Sequence, residues 1–150
     1  MSEYKFTKDW FNWAPEVWTQ LIPLLPERTE YGRNFLEVGS FEGRSAVWIA
    51  ENMMEAGDDL TCIDTWEGGE EHGEEDMGSV EERFDHNLAV LKAKFPHHLF
   101  SKRKEKSVCT LALSIDAGDV ENVDFIYIDG SHIAKDVLTD ACMSWALLKP

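Results

Sequence analysis

Phe35-Leu36-Glu37-Val38-Gly39-Ser40-Phe41-Glu42-Gly43 is the stretch that decides the fold of this chain. An apolar run carrying one acid ends in a turn with glycines at Gly39 and Gly43, and a helical pattern follows over 44–54. Parallel α/β sheets build ligand cradles in this order: strand, glycine turn, helix. The first turn of the helix offers unpaired N–H groups and a partial positive charge. Glycine lets a ligand come close to the backbone.

Outward from this stretch, strand and helix patterns alternate. Ala46, Val47, Ile49, Ala50, Met53 and Met54 give the following helix a wide apolar face, and Gly57 is its expected C-cap. Leu60-Thr61-Cys62-Ile63-Asp64 reads as the second strand. The acidic, Gly-rich stretch 65–78 (Glu67, Glu70, Glu71, His72, Glu74, Glu75, Asp76) reads as a solvated loop over the cleft. Ser79-Val80-Glu81-Glu82 has the form of a capping box. It is expected to open a helix striped by Val80, Phe84, Leu88, Leu91 and Phe95 and closed by Pro96. A short strand over 99–103, running into a solvated basic cluster of Lys102, Arg103, Lys104 and Lys106, precedes a helix over 107–115.

The fourth strand, 123–129, carries the apolar run Phe125 to Ile128, which predicts burial on both faces. The last helix, 133–148, is expected to bury Ala134, Val137, Leu138, Ala141, Trp145 and Leu148. Upstream, Trp10, Ala14, Val17, Trp18, Leu21 and Leu25 fall at helical spacing, with Pro15 in the first turn. That predicts a helix over 14–25, in an N-terminal helical cover (1–32) on a domain spanning 33–150. Strands alternating with helices imply βαβ units, a parallel sheet and right-handed crossovers.

The chain has 150 residues and 43% hydrophobic content, which suits one domain with a real core. Its net charge of −15 disfavours a nucleic-acid partner. No apolar run approaches a membrane span, and the N-terminus does not read as a signal peptide. Cys62, Cys109 and Cys142 are scattered in apolar contexts, the pattern of reduced core thiols in a cytoplasmic protein.

Glu37, Asp64 and Asp129 all fall at strand ends, where open α/β sheets bind ligands. Asp64 stands 21 residues beyond Gly43 and offers two acceptors side by side, which suits a ribose diol. The GxGxxG fingerprint of dinucleotide folds is not met, because Phe41 stands where the second glycine would be. Phe41 by bulk and Glu42 by charge weigh against a diphosphate. S-adenosylmethionine fits instead, with its ribose, adenine, amino acid tail and sulfonium cation.

The opening stretch resembles motif I of the class I S-adenosylmethionine-dependent methyltransferases. Cys62-Ile63-Asp64-Thr65-Trp66-Glu67-Gly68-Gly69 resembles their second motif. Phe125-Ile126-Tyr127-Ile128-Asp129-Gly130-Ser131-His132, running on to Ser144-Trp145-Ala146-Leu147-Leu148-Lys149-Pro150, resembles the motif IV segment of the small methyltransferase-24 branch. That branch is similar in architecture to catechol O-methyltransferases and cephalosporin-type hydroxyl methyltransferases. The resemblance covers roughly residues 33–150.

The resemblance implies a Rossmann-like α/β sandwich of three layers, with strand order 3-2-1-4, and O-methylation of a small molecule. It implies that Gly39 and Gly43 pass the amino acid part of the cofactor, with Glu37 and Ser40 near its amine and carboxylate. Asp64 would take the ribose hydroxyls, while Trp66 and Ser107 would contact the adenine. Asp129 would face the methyl-transfer site, at a position that ligates Mg²⁺ in metal-dependent relatives, though one carboxylate alone is a poor Mg²⁺ site. His132 would orient the acceptor or act as base.

Members of the branch continue past this Leu-Leu-Lys-Pro with a fifth strand and further acids. The expectation is therefore a domain lacking its later strands, with the fourth strand an apolar edge. That edge would pair with a second copy or be covered by the N-terminal segment. A truncated S-adenosylmethionine-binding module without turnover is the alternative, and a nicotinamide-dependent oxidoreductase the third class.

Overall fold

Four strands pair side by side, all parallel, in the computed structural model, which describes residues 3–69, 73 and 75–150. In chain order the elements are α1 (Ala14–Trp18), β1 (Asn34–Val38), α2 (Arg44–Asn52), β2 (Asp59–Asp64), α3 (Met77–Lys94), β3 (Leu99–Lys104), α4 (Ser107–Ala117), β4 (Phe125–Ile128) and α5 (Ala134–Leu147). The sheet order is β3-β2-β1-β4, as expected for a Rossmann-like sandwich. The chain therefore reverses direction across the sheet between β1 and β4, which opens a crevice at their carboxyl ends.

The strand period of two divides the core. Phe35, Leu60, Cys62 and Phe100 face the layer made by the N-terminal segment, α2 and α3, where Trp18, Ile49, Phe84 and Leu91 are buried. Leu36, Val38 and Ile63 face the other layer with Leu111 of α4 and Leu147 of α5. On the first face, Glu37 stands level with Cys62 on β2 and Tyr127 on β4.

Several elements differ from the sequence expectation, each for a local reason. α1 stops at Trp18, because Pro23 has no N–H to donate back along a continuing helix, and a 3₁₀ turn takes Ile22–Leu24 instead. α2 ends at Asn52 with Met53, not Gly57, as its C-cap. The buried Asp58 carboxylate draws the chain round by accepting from Glu55 N (2.8 Å), Arg33 N (2.9 Å) and Arg28 Nε (3.1 Å). α3 starts three residues early, with Asp76 and not Ser79 at the N-cap, and Ser79 in its first turn donates to Asp76 Oδ2 at 2.6 Å. Lys102 and Lys104 are paired with Glu81 of α3, so this part of the basic cluster is not free.

The largest difference is the rotation of α5. Its buried residues are Asp140, Ser144 and Leu147, whereas Val137, Leu138 and Trp145 of the expected buried stripe are exposed. Asp140 faces inward because Ser107 Oγ of α4 donates to its carboxylate at 2.6 Å. The same rotation leaves Cys142 exposed. Cys109 on α4 is exposed too, so only Cys62 is a core thiol.

β4 is half-buried along its length, not buried on both faces, as befits the edge position. The N-terminal segment covers its face, with Trp18 4.6 Å from the Tyr127 ring and 5.5 Å from Phe125. Leu148, just after α5, forms a parallel bridge with Val123. No helix among the described residues is long and apolar enough to cross a membrane.

Candidate functional site

A cavity of about 510 Å³ opens at the carboxyl ends of β1 and β4. One wall is the turn after β1, including Gly39, Ser40, Phe41 and Ser45. The floor is the end of β4 and the turn after it: Tyr127, Asp129, Gly130 and His132. The outer wall comes from the N-terminal segment: Lys8, Trp10, Phe11 and Trp13.

Gly39 is the hinge pin of this geometry. Its φ is +86°, and a Cβ there would lie 2.3 Å from the Asp129 carbonyl oxygen and 2.4 Å from Gly130 Cα. Only glycine allows the two turns to touch. Gly43 takes φ +78° at the N-cap of α2, with the Phe84 ring 3.0 Å from where a Cβ would stand. Gly43 thus seats α2 against α3 and does not line the cavity.

Asp64 organises the two strand-end turns. Its Oδ2 accepts from Ser40 N and Phe41 N, both at 2.9 Å, and its Oδ1 accepts from Trp66 N at 2.7 Å. Phe41 (φ +48°) and Trp66 (φ +50°) are non-glycine residues in the left-handed region, which the shared carboxylate holds in place. Three amides leave part of the carboxylate's four-site acceptor capacity open. Trp66 is buried. Its ring packs 4.7 Å from Phe84, its Nε1 donates to Phe41 O at 2.9 Å, and Lys102 Nζ lies 4.4 Å above it. It supports the turn from behind, away from the cavity. Ser107 is joined to Asp140 and lies outside the cavity lining.

Glu37 is fully buried beneath the turn and accepts from Ser45 Oγ. Burial pushes its carboxyl from the ordinary 4.5 up to about 7, against the lowering effect of the nearby Ser40 and Ser45 hydroxyls and the Cys62 thiol. Glu37 Oε2 and Ser40 Oγ are both buried without a partner. Two such atoms beside a helix N-terminus suit a ligand carrying its own donors, such as an ammonium group. The amino acid end of S-adenosylmethionine fits that requirement. Glu42, by contrast, turns inward to Arg83 Nε and Thr7 Oγ1, both at 2.5 Å. The bulk of Phe41, not the charge of Glu42, distinguishes this turn from a diphosphate cradle.

The raised Glu37 value has a consequence for stability. The folded state binds its proton more tightly than the unfolded chain does, so stability is full below pH 4.5 and falls as pH rises toward 7. The loss across that window is about 3 kcal/mol. Glu37→Gln is expected to remove this slope, which urea unfolding of both proteins at pH 5 and pH 8 measures.

Asp129 is exposed and held from both sides. Tyr127 Oη donates to its Oδ2 at 2.8 Å, and His132 Nε2 stands 3.6 Å from its Oδ1. Burial, with the Asp129 carboxylate next in effect, pushes the Tyr127 phenol far up, so it stays a donor. Among the described residues no three His, Cys, Asp or Glu side chains come together, and the donors around Asp129 do not make a Mg²⁺ site.

The cavity therefore brings together Gly39, Ser40, Asp129 and His132, with Glu37 beneath and Asp64 bracing the turn. Glu70, Glu71, His72 and Glu74 of the acidic loop lie outside the described residues. Sequence reasoning missed Ser45, whose place as the second residue of the helix after a strand-end acid was the available signal. It also missed Tyr127, which shares a strand face with Glu37, and the outer wall, whose contacts are long-range.

Residues 36–150 match the family described as methyltransferase domain. Among curated proteins, none matches the chain significantly.

Proposed function

Since this chain belongs to the methyltransferase-domain family, we propose that it transfers a methyl group from S-adenosylmethionine to a hydroxyl oxygen of a small molecule. The observation that carries this reading is the pair of orphaned buried atoms, Glu37 Oε2 and Ser40 Oγ, behind a turn that faces Asp129 and His132. Glu37, Ser40 and the amides at the start of α2 would hold the amino acid end. The open acceptor site of Asp64 would take a ribose hydroxyl. When bound, S-adenosylmethionine supplies an electrophilic methyl, whose bond to sulfur breaks as the bond to oxygen forms.

The chain's own contribution is positioning and proton removal. His132 takes the hydroxyl proton of the acceptor at Nδ1, the ring nitrogen turned away from Asp129, while Asp129 orients the imidazole from its Nε2 side and balances the charge it gains. Tyr127 fixes the carboxylate that does this. The net charge of −15 and an aromatic-lined cavity of about 510 Å³ support a small acceptor over a polyanion. The free thiols of Cys62, Cys109 and Cys142 suit the reducing cytoplasm.

Mass spectrometry of hydroxylated acceptors incubated with S-adenosylmethionine tests the reading. Methylated product is expected from the wild-type chain, with kcat lowered about 100-fold in His132→Ala. An unchanged rate in that variant would remove His132 from the mechanism. Absence of product with every acceptor would count against turnover.

A further inference from the structure

The outer wall of the cavity is built by chain outside the matched domain. Lys8, Trp10, Phe11 and Trp13 precede residue 36, yet they close the same space as Asp129 and His132. This segment is not a fraying terminus. Thr7 N donates to Glu42 at 2.6 Å, and Asn87 exchanges two hydrogen bonds with the Lys5 backbone at 2.7 and 2.8 Å. Arg44 Nε donates to Lys8 O at 3.0 Å, and its guanidinium stacks 4.3 Å from the Phe6 ring. Glu42 and Asn87 are buried, so the segment is fastened to the body by groups that need it for their own hydrogen bonds.

A segment held this firmly still leaves two indoles half open, with Trp10 53% and Trp13 55% exposed. Trp10 lies 4.9 Å from the Phe41 ring, tilted by 37°. With Phe11 and Tyr127, five aromatic side chains line the cavity that also holds Asp129 and His132.

We infer that this N-terminal strap is the acceptor-specificity element, and that Trp10 and Trp13 select a flat aromatic acceptor, a phenol. The inference rests on the methyl-transfer reading above. The rings offer stacking and edge contacts, which a planar acceptor uses fully. A sugar would need hydrogen-bonding partners for each of its hydroxyls, and the aromatic wall offers few. A phenol also has an ordinary pKa of about 10, close enough to imidazole for proton transfer to His132. Its proton goes to His132 Nδ1 as its oxygen takes the methyl group.

The test pairs calorimetry with S-adenosylhomocysteine and steady-state methylation of catechol, 4-nitrophenol, cyclohexane-1,2-diol and glucose. The expected result is turnover of the two aromatic acceptors only. Trp13→Ala should raise KM for them about tenfold. Trp13→Phe should recover most of that loss, and affinity for S-adenosylhomocysteine should stay within about twofold of wild type. Trp10→Leu supplies an independent second variant with the same expected direction. With S-adenosylhomocysteine bound, failure to methylate either aromatic acceptor would overturn the inference and leave cofactor binding standing. So would equal use of the aliphatic diol, or an unchanged KM in both variants. No binding of S-adenosylhomocysteine would overturn both readings.

Discussion

Gly39→Ala is expected to lower the thermal midpoint by about 10 °C or more and to abolish cofactor binding. The added methyl group would stand 2.3 Å from the Asp129 carbonyl oxygen, and backbone on both sides leaves it nowhere to go. The β1 and β4 turns would have to separate. That breaks the bonds from Gly39 N to Ile63 O (2.8 Å) and from Asp129 N to Val38 O (2.7 Å), which tie the strand tips together. The left-handed φ of +86° adds about 1 kcal/mol for any residue with a Cβ. Together the cost is about 4 kcal/mol or more. Gly118→Ala is the control, because Gly118 has a similar φ of +90° at the end of α4 but open space around it. It should lose only about 1 kcal/mol. Thermal unfolding of both variants separates the close approach from the dihedral.

Asp64→Ala is expected to lower affinity for S-adenosylhomocysteine about 100-fold, from the loss of charge-assisted hydrogen bonds to the ribose and of the turn they depend on. Three amides, those of Ser40, Phe41 and Trp66, would lose their acceptor at once. Phe41 and Trp66 would then have nothing to hold their left-handed conformations. Stability should fall by about 3 kcal/mol. Asp64→Asn keeps one acceptor oxygen and should fall between the two proteins in both measurements. Equal stability of the alanine variant and wild type would show that the turn forms without its carboxylate.

The sheet was legible because its signals are local. An apolar run, a glycine turn and an acid recur at β1, β2 and β4, and the spacing between them leaves room only for crossover helices. α5 was not legible, because its outer stripe of Val137, Leu138 and Trp145 is more apolar than the side it buries. The helix turns its Asp140 inward to reach a serine 33 residues away, and periodicity carries no trace of such a pair. The same limit applied at the site. Gly39, Ser40, Asp129 and His132, singled out by strand-end position and by the family resemblance, line one cavity. The resemblance implies an adenine contact for Trp66, while its left-handed backbone and the Phe84 ring place it in the core. The aromatic wall depends on Thr7 meeting Glu42 and Lys5 meeting Asn87, contacts 35 and 82 residues apart.

Glu37 marks the boundary between these two kinds of residue. Its position is plain from sequence, but its chemistry is not. Full burial, the Ser45 hydroxyl and an unpartnered oxygen set this strand acid apart from an ordinary surface carboxylate.

Isothermal titration of the wild-type chain with S-adenosylmethionine, S-adenosylhomocysteine and NAD tests the methyltransferase site most directly. The expected result is one binding site for each of the two sulfur nucleosides, weakened in Asp64→Ala, and no heat from NAD. Binding of NAD with neither sulfur nucleoside bound would contradict methyl transfer at this site.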